Sequence, residues 1–226
     1  MIPDANEING IIFDLDGTLY RRRWYMNPLL AVQLFPSVLR LSRFLKIRGS
    51  FSGKDLQTGK DLTDAICNQL SPVEKKTESE LENWIEKRFY PAFVNTMYFF
   101  RNSRPELNEV LAQLHKKGYK LAVLSDYDQI PERLEILTVK KSLFDTMTSS
   151  EHAGALKPSP RPFLEIASTW NLKSHQVLVI GDRDDTDGEA ARKAGMPFLH
   201  LDDKIKTDSH NRMNWPGVKS ILEQLP

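Results

Sequence analysis

The chain contains a single cysteine, Cys67, in 226 residues, which excludes an internal disulfide and suits a reducing compartment. It has almost no net charge: 31 basic against 30 acidic residues leave +1, so nothing in the balance attracts nucleic acid or an anionic membrane in general. Any specificity for phosphate must come from a local site. Long apolar runs are missing too. The most apolar extended stretch, residues 28–45, is interrupted by Gln33, Pro36, Arg40 and Arg43 and does not read as a membrane span. The opening Met-Ile-Pro-Asp-Ala-Asn lacks the basic region and apolar core of a secretion signal, and a cytoplasmic location is expected. The histidines His115, His152, His175, His200 and His210 are scattered without metal-ligand spacing and read as structural or surface groups. There is no internal repeat and no low-complexity tract.

What is present is an ordinary globular composition, 40% hydrophobic and 27% charged, on a chain long enough for one large domain or a domain with an insertion. Its organising stretch is Gly10-Ile-Ile-Phe-Asp-Leu-Asp-Gly-Thr-Leu19. Ile11, Ile12 and Phe13 form a continuous apolar run, the pattern of a strand covered on both faces in a parallel sheet. Asp14, Asp16 and Gly17 end it abruptly. Asp and Gly are also turn formers, but in open α/β sheets ligands bind outside the carboxyl ends of strands, where such acids would meet them.

Residues 20–103 read as helix. Leu29, Leu30, Leu34, Val38, Leu41 and Leu45 recur at helical spacing, with Pro36 expected to kink or divide the stretch. A loop is expected at 49–53. Leu62, Ile66 and Leu70 mark a second helix, with Cys67 as core filling and Ser71-Pro72 as its end. Leu81, Trp84, Ile85 and Phe89 mark a third, broken or bent at Pro91. A stretch this long is too long for a structureless connection, so an inserted helical subdomain is expected. Phe89, Tyr90, Phe93, Tyr98, Phe99 and Phe100 are expected to form its core and its seam with the rest. The basic residues Arg21, Arg22, Arg23, Arg40, Arg43, Lys46, Arg48, Lys54 and Lys60 read mostly as a solvated face. Arg21 to Arg23 and Lys54 are the ones that could touch an anionic leaving group.

From Arg104 on, helix and strand alternate, which predicts an α/β fold with a doubly wound parallel sheet. A helix is expected over 105–117, a strand over 121–124 ending at Ser125-Asp126, a helix over 131–139 and a strand over 143–148. A proline-stiffened loop follows at 157–162, then a helix over 163–170. The strand at 177–180 runs into Gly181-Asp182, a helix is expected over 187–194, a last strand over 198–201, and a surface helix over 216–225.

Strands ending in Asp14 and Asp16, in Ser125 and in Asp182 would place these groups on one sheet edge, with Lys157 and Asp187 nearby in sequence context. Phosphoryl transfer calls for such a set, because its charged, loose transition state demands positioning and neutralisation of oxygens. A carboxylate can attack phosphorus and split one hard step into two. Mg²⁺ would relieve the repulsion between several carboxylates and a phosphate by taking oxygen ligands from both. A lysine and a hydroxyl can bind the remaining phosphate oxygens.

Asp14-Leu-Asp-Gly-Thr-Leu19, Ser125, Lys157-Pro158 and Gly181-Asp-Arg-Asp-Asp-Thr-Asp187 resemble the four ordered motifs of the haloacid dehalogenase superfamily, specifically its phosphatases. The resemblance covers residues 9–19 and 104–226. It implies a Rossmann-like catalytic core from 1–19 and 104–226, a helical cap over 20–103, and a central first strand. Carried over by position, Asp14 is the nucleophile. Asp16 is the general acid and then base, with its backbone carbonyl helping to hold magnesium. Asp182 is a direct or water-mediated metal ligand, and Asp187 shapes the metal site or binds through water. Ser125 and Lys157 bind the phosphate, and Lys157 also orients Asp14. Backbone N–H groups around Leu15 and Asp126 are further donors. Arg183 departs from the frequent serine or threonine, and Asp184 and Asp185 add acids, leaving open which of Asp182, Asp185 and Asp187 lies closest to the metal. Arg161 stands where an acid is common, and the run Arg21 to Arg23 is unusual.

The expected activity is therefore a Mg²⁺-dependent phosphohydrolase acting through an aspartyl-phosphate on a small phosphorylated metabolite enclosed by the cap. A phosphomutase of the same architecture is the nearest alternative. A dehalogenase would need neither metal nor an acid at position 16. A receiver-like module would need no insertion, and a non-catalytic phosphate-binding scaffold would not need the whole polar set.

Overall fold

The computed structural model describes residues 5–205 and 211–226, so His210 and part of the opening segment lie outside the described residues. Strands β1 (Gly10–Phe13), β2 (Lys120–Ser125), β3 (Thr146–Ser149), β4 (Val177–Gly181), β5 (Phe198–Leu201) and β6 (Arg212–Met213) form one sheet in the order β3-β2-β1-β4-β5-β6. All neighbouring pairs are parallel, with Phe13 beside Val123 on one side and Ile180 on the other. The expected α/β, doubly wound architecture with β1 in the interior is what the chain adopts.

The continuous apolar runs exist because both faces of these strands are covered. Ile11 and Phe13 join Leu121, Val123, Leu178 and Ile180 in one cluster, while Ile12 joins Ala122, Leu124, Val177 and Val179 in another. Helices α6 (Leu107–Lys116), α7 (Ile130–Ile136) and α10 (Trp215–Gln224) supply the first face with Leu111, Leu134 and Val218. Helices α8 (Arg161–Thr169) and α9 (Glu189–Ala194) supply the second with Phe163, Ile166 and Ala191. Each fully buried aliphatic or aromatic side chain stabilises by roughly 1.5–3 kcal/mol. The strand ends, and hence the polar groups on them, are held by this double packing.

Between β1 and α6 the chain is helical: α1 (Met26–Gln33), α2 (Val38–Gly49), α3 (Gly59–Glu74), α4 (Glu78–Trp84) and α5 (Tyr90–Thr96). The two ends of this segment meet in an antiparallel bridge between Tyr20 and Ser103, next to an Arg104 N–H donating to the Leu19 carbonyl at 2.8 Å. Among the described residues no helix is long and apolar enough to cross a membrane.

Several boundaries differ from expectation. Pro36 does divide α1 from α2, but α3 continues through Pro72 to Glu74. A proline in the last turn removes one N–H donor, and the helix ends instead at Lys75, which has φ 52°. Pro91 does not end its helix either. A π turn over Ile85–Phe89 precedes it and widens the backbone where the ring would meet the preceding turn. Residues Lys141–Leu143 are a 3-10 turn, so β3 begins only at Thr146, where it pairs with Ala122. Helix α8 begins at Arg161, and the short edge strand β6 had no apolar pattern to announce it. Cys67 is buried, as are Phe89, Tyr90, Phe93 and Phe100, whereas Tyr98 and Phe99 are exposed.

Candidate active site

The carboxyl ends of β1, β2 and β4 meet Lys157 at one rim of the sheet. Asp14 leaves β1 with its N–H still donating to the Ile180 carbonyl at 2.9 Å. Its carboxylate accepts from Thr18 Oγ1 at 3.0 Å and from Lys157 Nζ at 2.8 Å. The same ammonium donates to Asp187 Oδ1 at 2.7 Å and to the Leu124 carbonyl at 2.8 Å. Its donors are thus spent within the protein, and it is held rigidly between two acids. Lys157 is 3% exposed.

Asp182 completes the cluster. Carboxylate oxygens of Asp14, Asp182 and Asp187 lie within 4.8 Å of one another, a spacing that a single cation can bridge. Two glycines permit this convergence. Gly17 has φ +97°, and a Cβ there would lie 2.0 Å from Asp182 Oδ2; a Cβ on Gly181 would lie 2.5 Å from Asp187. A π turn over Asp184–Gly188 turns Asp187 inward, and His200 Nε2 lies 3.1 Å from the Asp182 carbonyl oxygen. Asp184 and Asp185 face away: they pair with Arg192 at 2.8 Å and with Arg183 at 2.7 Å. Of the acids in this loop, the cluster takes in Asp182 and Asp187 and leaves Asp185 out.

Burial and crowding of like charge make these carboxylates reluctant to ionise. Asp14 is pushed up to about 7 by burial, opposed by Lys157 and reinforced by Asp187 and Asp16. Asp182 is likewise pushed up to about 7, by burial and then by the charges of Asp14 and Asp16. Asp187 is raised by burial against the pull of Lys157. A divalent cation would reverse that balance.

Asp16 has a different setting. Its carboxylate accepts from Tyr20 OH at 2.7 Å, from Ser125 Oγ at 3.0 Å and from the Arg133 guanidinium. Burial opposes its ionisation, but Arg133, then Tyr20 and Ser125, hold it below the usual carboxylate range. Ser125 is fully buried and also accepts from Arg133 Nη1 at 2.9 Å. Leu15 is buried in the turn that follows, its carbonyl accepting from the Leu19 N–H at 3.1 Å. Asp126 faces Ser150 and accepts from the Lys157 N–H at 3.2 Å. It thereby ties the Ser125 and Lys157 loops together.

Sequence reasoning missed Arg133, Arg48, Tyr20 and Glu151. Arg133 is fully buried against Asp16, with its guanidinium 4.9 Å from the centre of the Phe93 ring. Arg48, expected on a solvated face, is 6% exposed; it donates to the Asp126 carbonyl and lies 3.4 Å from Glu151, which also accepts from Tyr90 OH. The usable signal was positional. Arg48 stands in register with Leu41 and Phe44, and Arg133 with Ile130 and Leu134, so both occupy inward helical positions.

A parallel α/β scaffold that gathers an acid cluster and a saturated lysine at its carboxyl edge defines an enzyme site of the hydrolase type. The chain belongs to the haloacid dehalogenase-like hydrolases, whose family description matches residues 8–195, and it resembles their phosphatase branch. The glyceraldehyde 3-phosphate phosphatase of Methanopyrus kandleri is 27% identical over 200 residues, 86% of this chain and 84% of that one. The phosphoglycolate phosphatase of Aquifex aeolicus is 26% identical over 186 residues, 82% of this chain and 80% of its own length. With the glyceraldehyde 3-phosphate phosphatases of Pyrococcus abyssi and Pyrococcus furiosus the match is confined to 106 residues, 44% of their length. Among solved structures, the 2-haloacid dehalogenase of Pseudomonas syringae pv. Tomato superposes with a TM-score of 0.65 at 19% identity, covering 95% of this chain and 98% of that chain, which shows a shared fold.

The acid cluster gives a direct expectation. Raised folded pKa values mean that stability from the protonated cluster is present at low pH and is lost as pH rises from near 4 toward about 7. Mg²⁺ should therefore raise the melting temperature more at about pH 8 than at about pH 5. At ten times the dissociation constant the gain is about 1.4 kcal/mol, or roughly 3–6 °C for a chain of this size. Equal shifts at both pH values in thermal melts would count against a cation held by these carboxylates.

Proposed function

We propose that this chain is a Mg²⁺-dependent phosphatase that hydrolyses a small phosphorylated metabolite through an aspartyl-phosphate on Asp14. The observation that carries this reading is the convergence of Lys157 on Asp14 and Asp187, with the oxygens of Asp14, Asp182 and Asp187 within 4.8 Å. Donors of this kind, all hard carboxylate oxygens, fit Mg²⁺; Asp14, Asp182 and Asp187 would hold it, together with the Asp16 backbone carbonyl. When bound, the ion supplies neutralisation of charge on the phosphoryl oxygens.

The chain's own groups account for the rest. Thr18 and Lys157 fix the Asp14 carboxylate, so that it attacks phosphorus from a preset position. Ser125 Oγ would turn its hydroxyl from Asp16 to a phosphoryl oxygen, and the Lys157 ammonium, its donors kept on Asp14, Asp187 and the Leu124 carbonyl, would offset phosphoryl charge through space, assisted by backbone N–H groups near Leu15 and Asp126. Asp16 is held ionised by Arg133, which suits it to take a proton from the water that hydrolyses the intermediate. To donate a proton to the leaving oxygen, it must first gain one and exchange Arg133 for substrate. The helical insertion acts as a cap over this rim, as Arg48 and Tyr90 reach from it to the Asp126 and Glu151 loops.

The relatives named for glyceraldehyde 3-phosphate and phosphoglycolate make short three- and two-carbon phosphates the first substrates to try. The test is a phosphate-release screen over phosphorylated metabolites, with and without magnesium. The proposal expects release that a chelator abolishes. Transfer of the phosphate to a second position on the same sugar, without release, would point to a mutase instead.

A further inference from the structure

The run Arg21 to Arg23 is not used by the chemistry above, and its three members are not equivalent. Arg21 pairs with Asp203 at 3.1 Å, and Arg104 holds the other side of the same carboxylate at 2.7 Å. Arg22 and Arg23 are exposed and have no ion-pair partner among the described residues. Both line a groove of about 710 Å³ whose lining includes Asp182 of the acid cluster and Gly17 packed against it. The other acids of the groove are engaged: Asp202 with Arg212, and Asp203 with Arg21 and Arg104.

The opposite side of the rim is fastened. Ser52 Oγ donates to the Lys157 carbonyl at 2.7 Å, Gly53 N–H to Leu156 at 3.1 Å and Leu56 N–H to Gly154 at 2.9 Å, with an antiparallel bridge between Asp55 and Ala155. The large cleft beyond this strap, about 870 Å³, is lined by Thr58, Tyr90 and Arg161 and by none of the cluster's carboxylates. The groove with Arg22 is thus a cavity that opens on Asp182. Beside it stands Trp24, 86% exposed, an apolar wall with no core to fill.

Resting on the phosphatase reading, we propose that Arg22, with Arg23 beside it, binds a second anionic group on the substrate. The chain would then select phosphomonoesters whose leaving group carries a carboxylate or another phosphate over those with a neutral leaving group. A free guanidinium fork suits either anion through paired N–H donors. Arg22 would set specificity and take no part in bond making.

The test compares ethyl phosphate, 2-phosphoglycolate and propane-1,3-diol bisphosphate with magnesium present, in wild type, Arg22→Ala and Arg22→Lys. The wild type should favour both doubly anionic probes in kcat/KM by about tenfold or more over ethyl phosphate, as one good charge-assisted contact allows. Arg22→Ala should erase that preference through KM, and Arg22→Lys should restore more of it for the bisphosphate than for the carboxylate. An unchanged preference in Arg22→Ala overturns the proposal. Calorimetric binding of phosphonoacetate against ethylphosphonate reads the same preference without turnover. Binding preference that depends on Arg22 while no probe releases phosphate would sink the phosphatase reading and leave the anion site standing. Equal binding of the two phosphonates by wild type would sink the anion site alone.

Discussion

Replacing Asp14 with asparagine is expected to abolish phosphate release while leaving a folded and equally or more stable protein. The amide cannot form the aspartyl-phosphate, so kcat should fall by about 10⁴ or more, which corresponds to about 5 kcal/mol of lost transition-state stabilisation. Stability should move the other way for an electrostatic reason. Asp14 is pushed up to about 7 by burial and by Asp187 and Asp16, against Lys157, so its ionised form is penalised in the folded state above neutrality. Asparagine carries no charge, keeps a hydrogen-bonding oxygen for Thr18 Oγ1, and leaves Lys157 its bond to Asp187 at 2.7 Å. Melting curves at about pH 8 should therefore place the variant at or above the wild type, and at about pH 5 the difference should shrink. Turnover within tenfold of wild type would remove Asp14 as nucleophile. Loss of folding would show instead that the carboxylate is needed to neutralise Lys157.

Much of this site was readable because its physics is local. Ile11, Ile12 and Phe13 announce a strand covered on both faces, and the acids after them must lie where the strand ends. The strand Val177–Gly181 repeats the message, and Gly17 and Gly181 sit where carboxylates need the space a side chain would fill. Lys157 was legible only through its neighbours in the motif, since nothing in its own flanks indicates that it is buried. Arg133 and Arg48 were lost for the converse reason. Periodicity reports which way a position faces, and an arginine at an inward position reads as an error in the period unless its partner is known. The partners, Asp16 for Arg133 and Glu151 for Arg48, lie 117 and 103 residues away. The boundary at Pro72 was misplaced because local rules for proline ignore tertiary burial such as that of Leu70 just before it, whereas at Pro91 the expected break or bend takes the form of the π turn over Ile85–Phe89.

The position of Lys157 makes its removal the most informative stability experiment. Lys157→Met keeps the apolar stem in contact with its surroundings and deletes the ammonium between Asp14 and Asp187, which are held at 2.8 and 2.7 Å. Buried ion pairs add little over an apolar replacement of both partners, but deleting one partner strands the other, at a cost of about 3–5 kcal/mol. Here two carboxylates are stranded, so at about pH 8 without metal the melting temperature should fall by roughly 6–20 °C. The lysine itself is charged throughout the accessible range, because the two acids raise its pKa against burial. The pH dependence of the loss must therefore come from its partners. Their folded pKa values are already raised and rise further without the ammonium, so the deficit should shrink as pH falls toward about 5 and the carboxylates take up protons. Magnesium should recover part of the deficit at about pH 8 and little of it at about pH 5. Phosphate release should drop by about 10²–10³ even where magnesium restores folding, because the ammonium also offsets phosphoryl charge. A variant as stable as the wild type at both pH values would mean that the two acids are not charged together in the metal-free protein.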